Sequence, residues 1–69
     1  MMTKKDIKAI ENCDYIIGNG WEMDIKVEVV GDKIQLTTET SIIETYDFIK
    51  NNNGSIIIES KYGDILELS

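Results

Sequence analysis

Residues 21–30, with the sequence WEMDIKVEVV, carry the clearest structural signal in the chain. Along this stretch, apolar side chains alternate with charged ones up to Val29. Alternation of this kind indicates a β-strand with one buried side and one solvent-facing side. The charged side carries Glu22, Asp24 and Glu28, so the strand that predicts the fold also predicts an acidic surface.

Downstream, Gly31-Asp32 fits a two-residue hairpin turn that leads into a second strand. Pairing Val30 with Lys33 makes the apolar faces of the two strands coincide, which supports this register. The same register places Asp24 opposite Glu39, a like-charge pair that destabilises a sheet. Either a cationic partner relieves the repulsion, or the hairpin bends before Glu39. The matched pairs are Val29 with Ile34, Val27 with Leu36, and Ile25 with Thr38.

A first helix is predicted at the start of the chain. Thr3 and Asp6 match an aspartate variant of the capping box, which opens a short helix ending near Asn12. The apolar arc of this helix includes Cys13. We interpret Cys13 as a buried small hydrophobe and not as a nucleophile, because no histidine or basic residue adjoins it in the sequence.

A second helix is predicted from Ser41 to Lys50. Ser41 and Glu44 match a capping box, and the residues after Lys50, with the sequence NNNG, provide a stop. Phe48 lies off the apolar arc of this helix. An exposed aromatic side chain is either an interface anchor or a residue that packs under a neighbouring loop.

The last part of the chain predicts a second hairpin, with strands at Ser55–Ser60 and Ile65–Leu68. A three-residue loop would place Ile58 opposite Leu68 and Ser60 opposite Leu66. The predicted fold is therefore α+β, with two short helices packed on a largely antiparallel four-stranded sheet in the order α-β-β-α-β-β. We expect residues 1–69 to form a single small domain, because a chain of this length has room for only one core.

Composition limits the classes of partner. The chain has 13 acidic and 7 basic residues and a net charge of -6, so nucleic acid and anionic membrane would repel it and a basic protein surface would attract it. The alternative is that this charge only keeps a small domain soluble. A single cysteine and the absence of a long apolar run indicate the cytoplasm. Abundant isoleucine and asparagine, without proline or arginine, suggest an AT-rich bacterial or phage source.

No pattern of catalytic or ligand-binding residues is recognisable. Histidine is absent, and no serine or cysteine has a candidate base at a known spacing. A calcium loop aligned on Gly54 fails, because Ile49 and Ser60 would stand where Asp and Glu are required. We therefore expect no enzymatic activity, no cofactor and no metal.

Residues 6–15, with the sequence DIKAIENCDY, resemble the opening of small acidic phage-encoded anti-CRISPR proteins. In those proteins a short amphipathic helix runs through Asn-x-Asp-Tyr into an antiparallel hairpin. The resemblance implies a non-enzymatic inhibitor that occupies a nucleic-acid-binding groove of a CRISPR effector as a DNA mimic. Beyond Tyr15 the patterns diverge, so no functional residue is carried over and the target stays open.

These observations predict an inhibitory binding protein in the cytoplasm of a host bacterial cell. Its acidic face would engage a basic protein surface, for example that of a CRISPR effector nuclease, with no direct contact to nucleic acid or membrane. One alternative is an assembly module that forms a homodimer through a strand edge or an exposed aromatic. Another is an immunity protein for a basic nuclease toxin. The predicted partner-binding residues are Glu22, Asp24, Glu28, Glu39, Glu44 and Phe48.

Overall fold

A computed structural model describes residues 2–18, 20–38 and 43–69, except for the side chain of Trp21. Within these residues, one short helix accompanies seven strands that form a single antiparallel sheet. The elements are α1 Lys4–Glu11, β1 Tyr15–Gly18, β2 Trp21–Asp24, β3 Lys26–Val30, β4 Lys33–Thr37, β5 Ile43–Asn52, β6 Ser55–Ser60 and β7 Ile65–Leu68. From edge to edge, the strand order is β2-β1-β7-β6-β5-β4-β3.

The sheet is strongly curled because its two edge strands are consecutive in the chain. β2 and β3 lie at opposite edges, yet only Ile25 separates them in the sequence. Consecutive Cα atoms are about 3.8 Å apart, so Asp24 and Lys26 lie within about 7.6 Å of each other. A flat sheet of seven strands would hold its edges about 29 Å apart. The sheet therefore bends back on itself into a half-barrel.

The first predicted hairpin is confirmed in its turn and register. β3 pairs with β4 so that Val30 is opposite Lys33, and the predicted apolar pairs at Val27 and Val29 form. The ladder ends at Lys26, and Ile25 instead donates its backbone N–H to the Asp14 carbonyl at 2.8 Å. The alternating stretch is thus divided between two strands at opposite edges of the sheet.

The core lies on the concave side of the half-barrel. Its members are mostly aliphatic residues that alternate with solvent-facing ones along each strand. Helix α1 contacts β3 and contributes Ile10, which is fully buried. The buried residues are Ile10, Cys13, Ile16, Ile25, Ile34, Leu36, Tyr46, Ile56, Ile58, Leu66 and Leu68.

Helix α1 begins as predicted and is tied to the sheet by a side-chain bridge. The Asp6 backbone N–H donates to the Thr3 hydroxyl at 3.1 Å, and the Thr3 backbone N–H donates to the Asp6 carboxylate at 3.0 Å. The Asn51 amide donates to the same carboxylate at 3.3 Å, while its carbonyl oxygen accepts the Gly54 backbone N–H at 2.9 Å. Asn51 therefore links the start of the helix to the β5–β6 turn.

The predicted fold of two helices on a four-stranded sheet is wrong, because the second helix is replaced by strand β5. Ser41 lies outside the described residues, but Ile43–Asn52 is extended and pairs with β4 and β6. The pairing register shifts between Phe48 and Lys50. The helix-like spacing of Ile43, Tyr46 and Ile49 arises because two exposed isoleucines lie on either side of a buried tyrosine, and the bulge at Ile49 further interrupts the two-residue period. Residues 51–54 then complete a hairpin and do not end a helix.

A short-range signal for this hairpin was present in the sequence. β5 and β6 pair Asn52 with Ser55, which leaves Asn53-Gly54 as a two-residue turn. Both turn residues have positive φ, 54° for Asn53 and 97° for Gly54, as a type I′ turn requires. Asn-Gly between strand-forming residues is the strongest short hairpin signal, and here it outweighs the Ser-x-x-Glu pattern.

The predicted register of the C-terminal hairpin is wrong by two residues. The structure pairs Ile58 with Leu66 and Ile56 with Leu68, not Ile58 with Leu68. The Ser60 backbone N–H donates to the Asp64 carbonyl at 2.9 Å, so the loop closes earlier than predicted. Because side chains alternate with a period of two, the shift leaves the same residues facing the core.

A close approach at Gly18 gives a stability prediction. A Cβ atom at this position would lie 2.0 Å from Leu66 Cδ2, because the Leu66 side chain packs directly over the glycine. We expect Gly18→Ala to lower the free energy of unfolding by about 1–3 kcal/mol through overpacking. Leu66→Ala alone should lower it by about 2–5 kcal/mol. Urea denaturation of both variants and the double variant should show a combined loss smaller than the sum. Additive losses would contradict the contact.

The capping box at Asp6 gives a prediction about acid stability. Its hydrogen bond from the Thr3 backbone, followed by those from the Thr3 side chain and Asn51, lowers the pKa of Asp6 below its usual 3.8. Because the pKa is lower in the folded state, the ionised carboxylate stabilises the protein at pH values above the pKa of the unfolded chain. This contribution to stability is lost as the pH falls through the folded-state pKa. Denaturation between pH 5 and 2.5 should therefore show a shallower acid loss for Asp6→Asn than for the unsubstituted chain. The control Asp32→Asn, in an exposed turn, should keep the original slope, and an unchanged slope in Asp6→Asn would refute the prediction.

Candidate protein-binding surface

The convex side of β2, β1, β7 and β6 carries four carboxylates, and we name this surface the acidic half-sheet. The pairing register and the burial of Ile16, Ile58 and Leu66 place the alternate side chains on this convex side. Glu22 and Asp24 on β2 are exposed, whereas Glu59 on β6 and Glu67 on β7 are partly buried. The members of the acidic half-sheet are Glu22, Asp24, Glu59 and Glu67, together with Tyr15, Ile17, Ile57 and Ile65.

Charge is unevenly divided between the two halves of the sheet. The strands β2, β1, β7 and β6 contain no lysine, although the chain has seven. Strands β3, β4 and β5 carry Lys26, Lys33 and Lys50 beside their own acidic residues. The one ion pair among the described residues, between Lys33 and Asp47, is also in this second half. The acidic half-sheet is thus the part of the sheet that carries carboxylates without a lysine of its own, while Lys26, two residues from Asp24, and Lys50, opposite Ile57, lie at its borders.

Strand pairing sets the spacing of these carboxylates. Glu22 is opposite Ile17, and Ile17 is opposite Glu67, so the two glutamates lie in one row two strands apart. With strands about 4.8 Å apart, their Cα atoms are separated by about 10 Å. Asp24 is two residues from Glu22, about 6.8 Å along the strand. The carboxylates therefore form a two-dimensional array and not the single row predicted from the sequence.

A tyrosine lies within this array. Tyr15 is opposite Asp24, and its phenol interacts with the Glu22 carboxylate. Partial burial, followed by the charge and hydrogen bond of Glu22 and the charge of Asp24, raises the pKa of Tyr15. The phenol therefore stays protonated near neutral pH and remains a hydrogen-bond donor among the carboxylates.

Apolar side chains lie between the acidic ones. Ile17 is 42% exposed and Ile65 is 53% exposed, which is high for isoleucine on a strand. Glu67 is two residues from Ile65 on β7 and lies opposite Ile17 on β1. It therefore separates the two isoleucines on this face of the sheet. A surface that combines exposed aliphatic groups with carboxylates is suited to a protein partner, since interfaces pair apolar contact with polar complementarity.

The structure brings together only part of the predicted site. Glu22 and Asp24 lie in the acidic half-sheet, but Glu28 is on β3 at the opposite edge, on the same face as Lys26. Glu39 lies outside the described residues. Glu44 is on the concave side, where its carboxylate accepts a hydrogen bond from the Tyr46 hydroxyl at 2.7 Å. Phe48 is partly buried and packs against the core, which agrees with the packing alternative and not with an exposed anchor.

Sequence reasoning missed Glu59 and Glu67. Both alternate with buried residues in the C-terminal hairpin, so their exposed side could be inferred from the sequence. Their position on the same face of the sheet as Glu22 depends on the pairing of β1 with β7, which brings together residues from the two ends of the chain. No local pattern encodes that pairing.

Cys13 is buried as predicted. Its thiol donates to the Ala9 carbonyl at 3.2 Å, and burial, followed by the charge of Asp14, raises the pKa of the Cys13 thiol. The described residues contain no group of three or more His, Cys, Asp or Glu side chains positioned to hold a metal ion. Within the same residues, no helix has the length and apolar character needed to cross a membrane.

Comparisons with known proteins give no further guide to the site. No protein-family model, curated protein or solved structure matches the chain significantly. The geometry of the acidic half-sheet is therefore the main guide to the function of this protein.

Proposed function

We propose that this protein is a non-enzymatic inhibitor that uses the acidic half-sheet to occupy a basic, nucleic-acid-binding surface of another protein. The observation that carries the proposal is the segregation of charge. Four of the 13 acidic residues and none of the seven lysines lie on four neighbouring strands. A groove that binds phosphates presents lysine and arginine side chains, which would be attracted to this array.

The array also supports competition with nucleic acid. Its carboxylates are about 7–10 Å apart along and across strands, a separation that lets each meet a different cationic side chain. This separation is close to the Debye length of about 8 Å at physiological salt. Salt therefore screens the attraction between a carboxylate and cations beyond its nearest one. Ile17 and Ile65, both exposed, add apolar contact that a phosphate backbone does not make. In an inhibitor of this kind, the carboxylates would attract the target, and the apolar contacts would hold the complex together.

The proposed target is a CRISPR effector nuclease in the cytoplasm of a bacterial host, and the proposed role is anti-defence. This choice is supported by the acidity of the chain and by the resemblance of residues 6–15 to anti-CRISPR proteins. An immunity protein for a basic nuclease toxin would need the same surface. A homodimeric assembly module would not need it, so the charge reversals below also separate assembly from inhibition.

The test is inhibition of purified effectors by charge-reversed variants. The protein is titrated into guide-loaded CRISPR effector nucleases and, in a parallel arm, a basic nuclease toxin, with target-DNA cleavage as the readout. We expect inhibition of one target and a loss of apparent affinity on the order of 100-fold for Glu22→Lys with Asp24→Lys. Raising the salt concentration should weaken the inhibition by the unsubstituted protein, because screening reduces the attraction.

A matched control separates local from overall charge. Glu11→Lys with Asp32→Lys makes the same change in net charge, from -6 to -2 because each reversal adds +2, at exposed positions outside the acidic half-sheet. This variant should keep most of the inhibition. An equal loss in both variants, or no inhibition of any effector or toxin, would contradict the proposal. Sedimentation that shows a tight dimer unaffected by Glu22 and Asp24 reversal would favour the assembly module.

A further inference from the structure

A second feature lies on the concave side of the half-barrel, away from the acidic half-sheet. There, β2 and Ile25 face β4 and β5 across a cleft of about 190 Å³. This volume is below the ~300–1,000 Å³ of sites for drug-sized ligands, so it suits an occupant the size of one side chain. Its apolar lining consists of the exposed Met23 and of three residues of the buried core, Ile16, Ile25 and Leu36.

The polar residues that line the cleft are Thr38, Glu44 and Tyr46. Tyr46 is buried, and its hydroxyl donates to Glu44 Oε2 at 2.7 Å. Burial first, and then the hydrogen bond and charge of Glu44 and the charge of Asp64, raise the pKa of the Tyr46 phenol. The phenol therefore remains a donor that orients the carboxylate. No lysine is among the described residues that line the cleft.

We propose that this cleft binds a lysine side chain of a protein partner, with its methylenes between the apolar walls and its ammonium group on the Glu44 carboxylate. An alkyl stem with a terminal cation matches apolar walls with a terminal anion. Met23 is 40% exposed, so its unbranched, adaptable side chain is accessible to the methylenes of the bound lysine. The inference does not rest on the acidic half-sheet, because the two sites share no residue.

The hydrogen-bond pattern favours ammonium over guanidinium. A guanidinium group binds a carboxylate best through two parallel hydrogen bonds, one to each oxygen. Tyr46 already donates to Oε2, so a guanidinium would compete with the phenol. An ammonium group is a compact donor that needs only Oε1.

The experiment uses n-pentylammonium as the probe and methyl NMR shifts as the readout. We expect saturable shifts at Ile16, Ile25, Leu36 and Met23, weaker binding of n-pentylguanidinium, and no saturation with 1-pentanol, which has the stem without the charge. Glu44→Gln should weaken n-pentylammonium binding about tenfold, because the charge-assisted hydrogen bond is lost. Tyr46→Phe should weaken it by a smaller factor, because the carboxylate loses its orienting donor.

Glu28→Gln is the matched control, since it removes the same charge from an exposed strand position outside the cleft. It should leave the affinity for n-pentylammonium unchanged. Unchanged affinity in Glu44→Gln, equal binding of 1-pentanol, or shifts confined to the acidic half-sheet would each overturn the proposal. Because Glu44 is exposed, Glu44→Gln should preserve the methyl spectrum of the free protein. If the spectrum changes, the proposal is tested by the other two variants: Tyr46→Phe should bind n-pentylammonium more weakly than Glu28→Gln, and equal binding would overturn the proposal.

Discussion

The constraint on which the structure depends is the single residue between the two edges of the sheet. Ile25 joins β2 to β3, so strands that would lie about 29 Å apart in a flat sheet are held within two residues of chain. Its side chain is buried and its backbone N–H is bonded to Asp14, which anchors the junction at the start of β1. Curling of the sheet follows from this connectivity, and the curl creates the concave side that holds the core.

The curl also separates an anionic surface from an apolar one in a chain with room for only one core. The convex side of β2, β1, β7 and β6 collects carboxylates without lysines, while the concave side collects aliphatic residues and ends in the Glu44–Tyr46 pair. Each surface results from the same two-residue alternation of strands. A small domain can therefore present an anionic face and an apolar cleft without interrupting its core.

Part of this architecture could be predicted from local patterns, and the failures have physical causes. The helix start at Thr3 and the Val30–Lys33 register were correct because a capping box and a two-residue turn act over a few residues. β5 was misread because the exposed Ile43 and Ile49 are each three residues from the buried Tyr46, and because the bulge near Ile49 disturbs the period of two. The candidate site was half predicted, since Glu22 and Asp24 share a face but Glu28 lies across the junction at Ile25.

The net charge, the start of the helix, the tight turns and the side of each strand that faces solvent all follow from the sequence. These properties depend on composition or on residues a few positions apart. The placement of Glu67 in one row with Glu22, and of Glu44 at the end of an apolar cleft, required the tertiary structure. Both outcomes depend on the order of strands in the sheet, which is set by the packing of distant segments around one core and by the one-residue link between its edges.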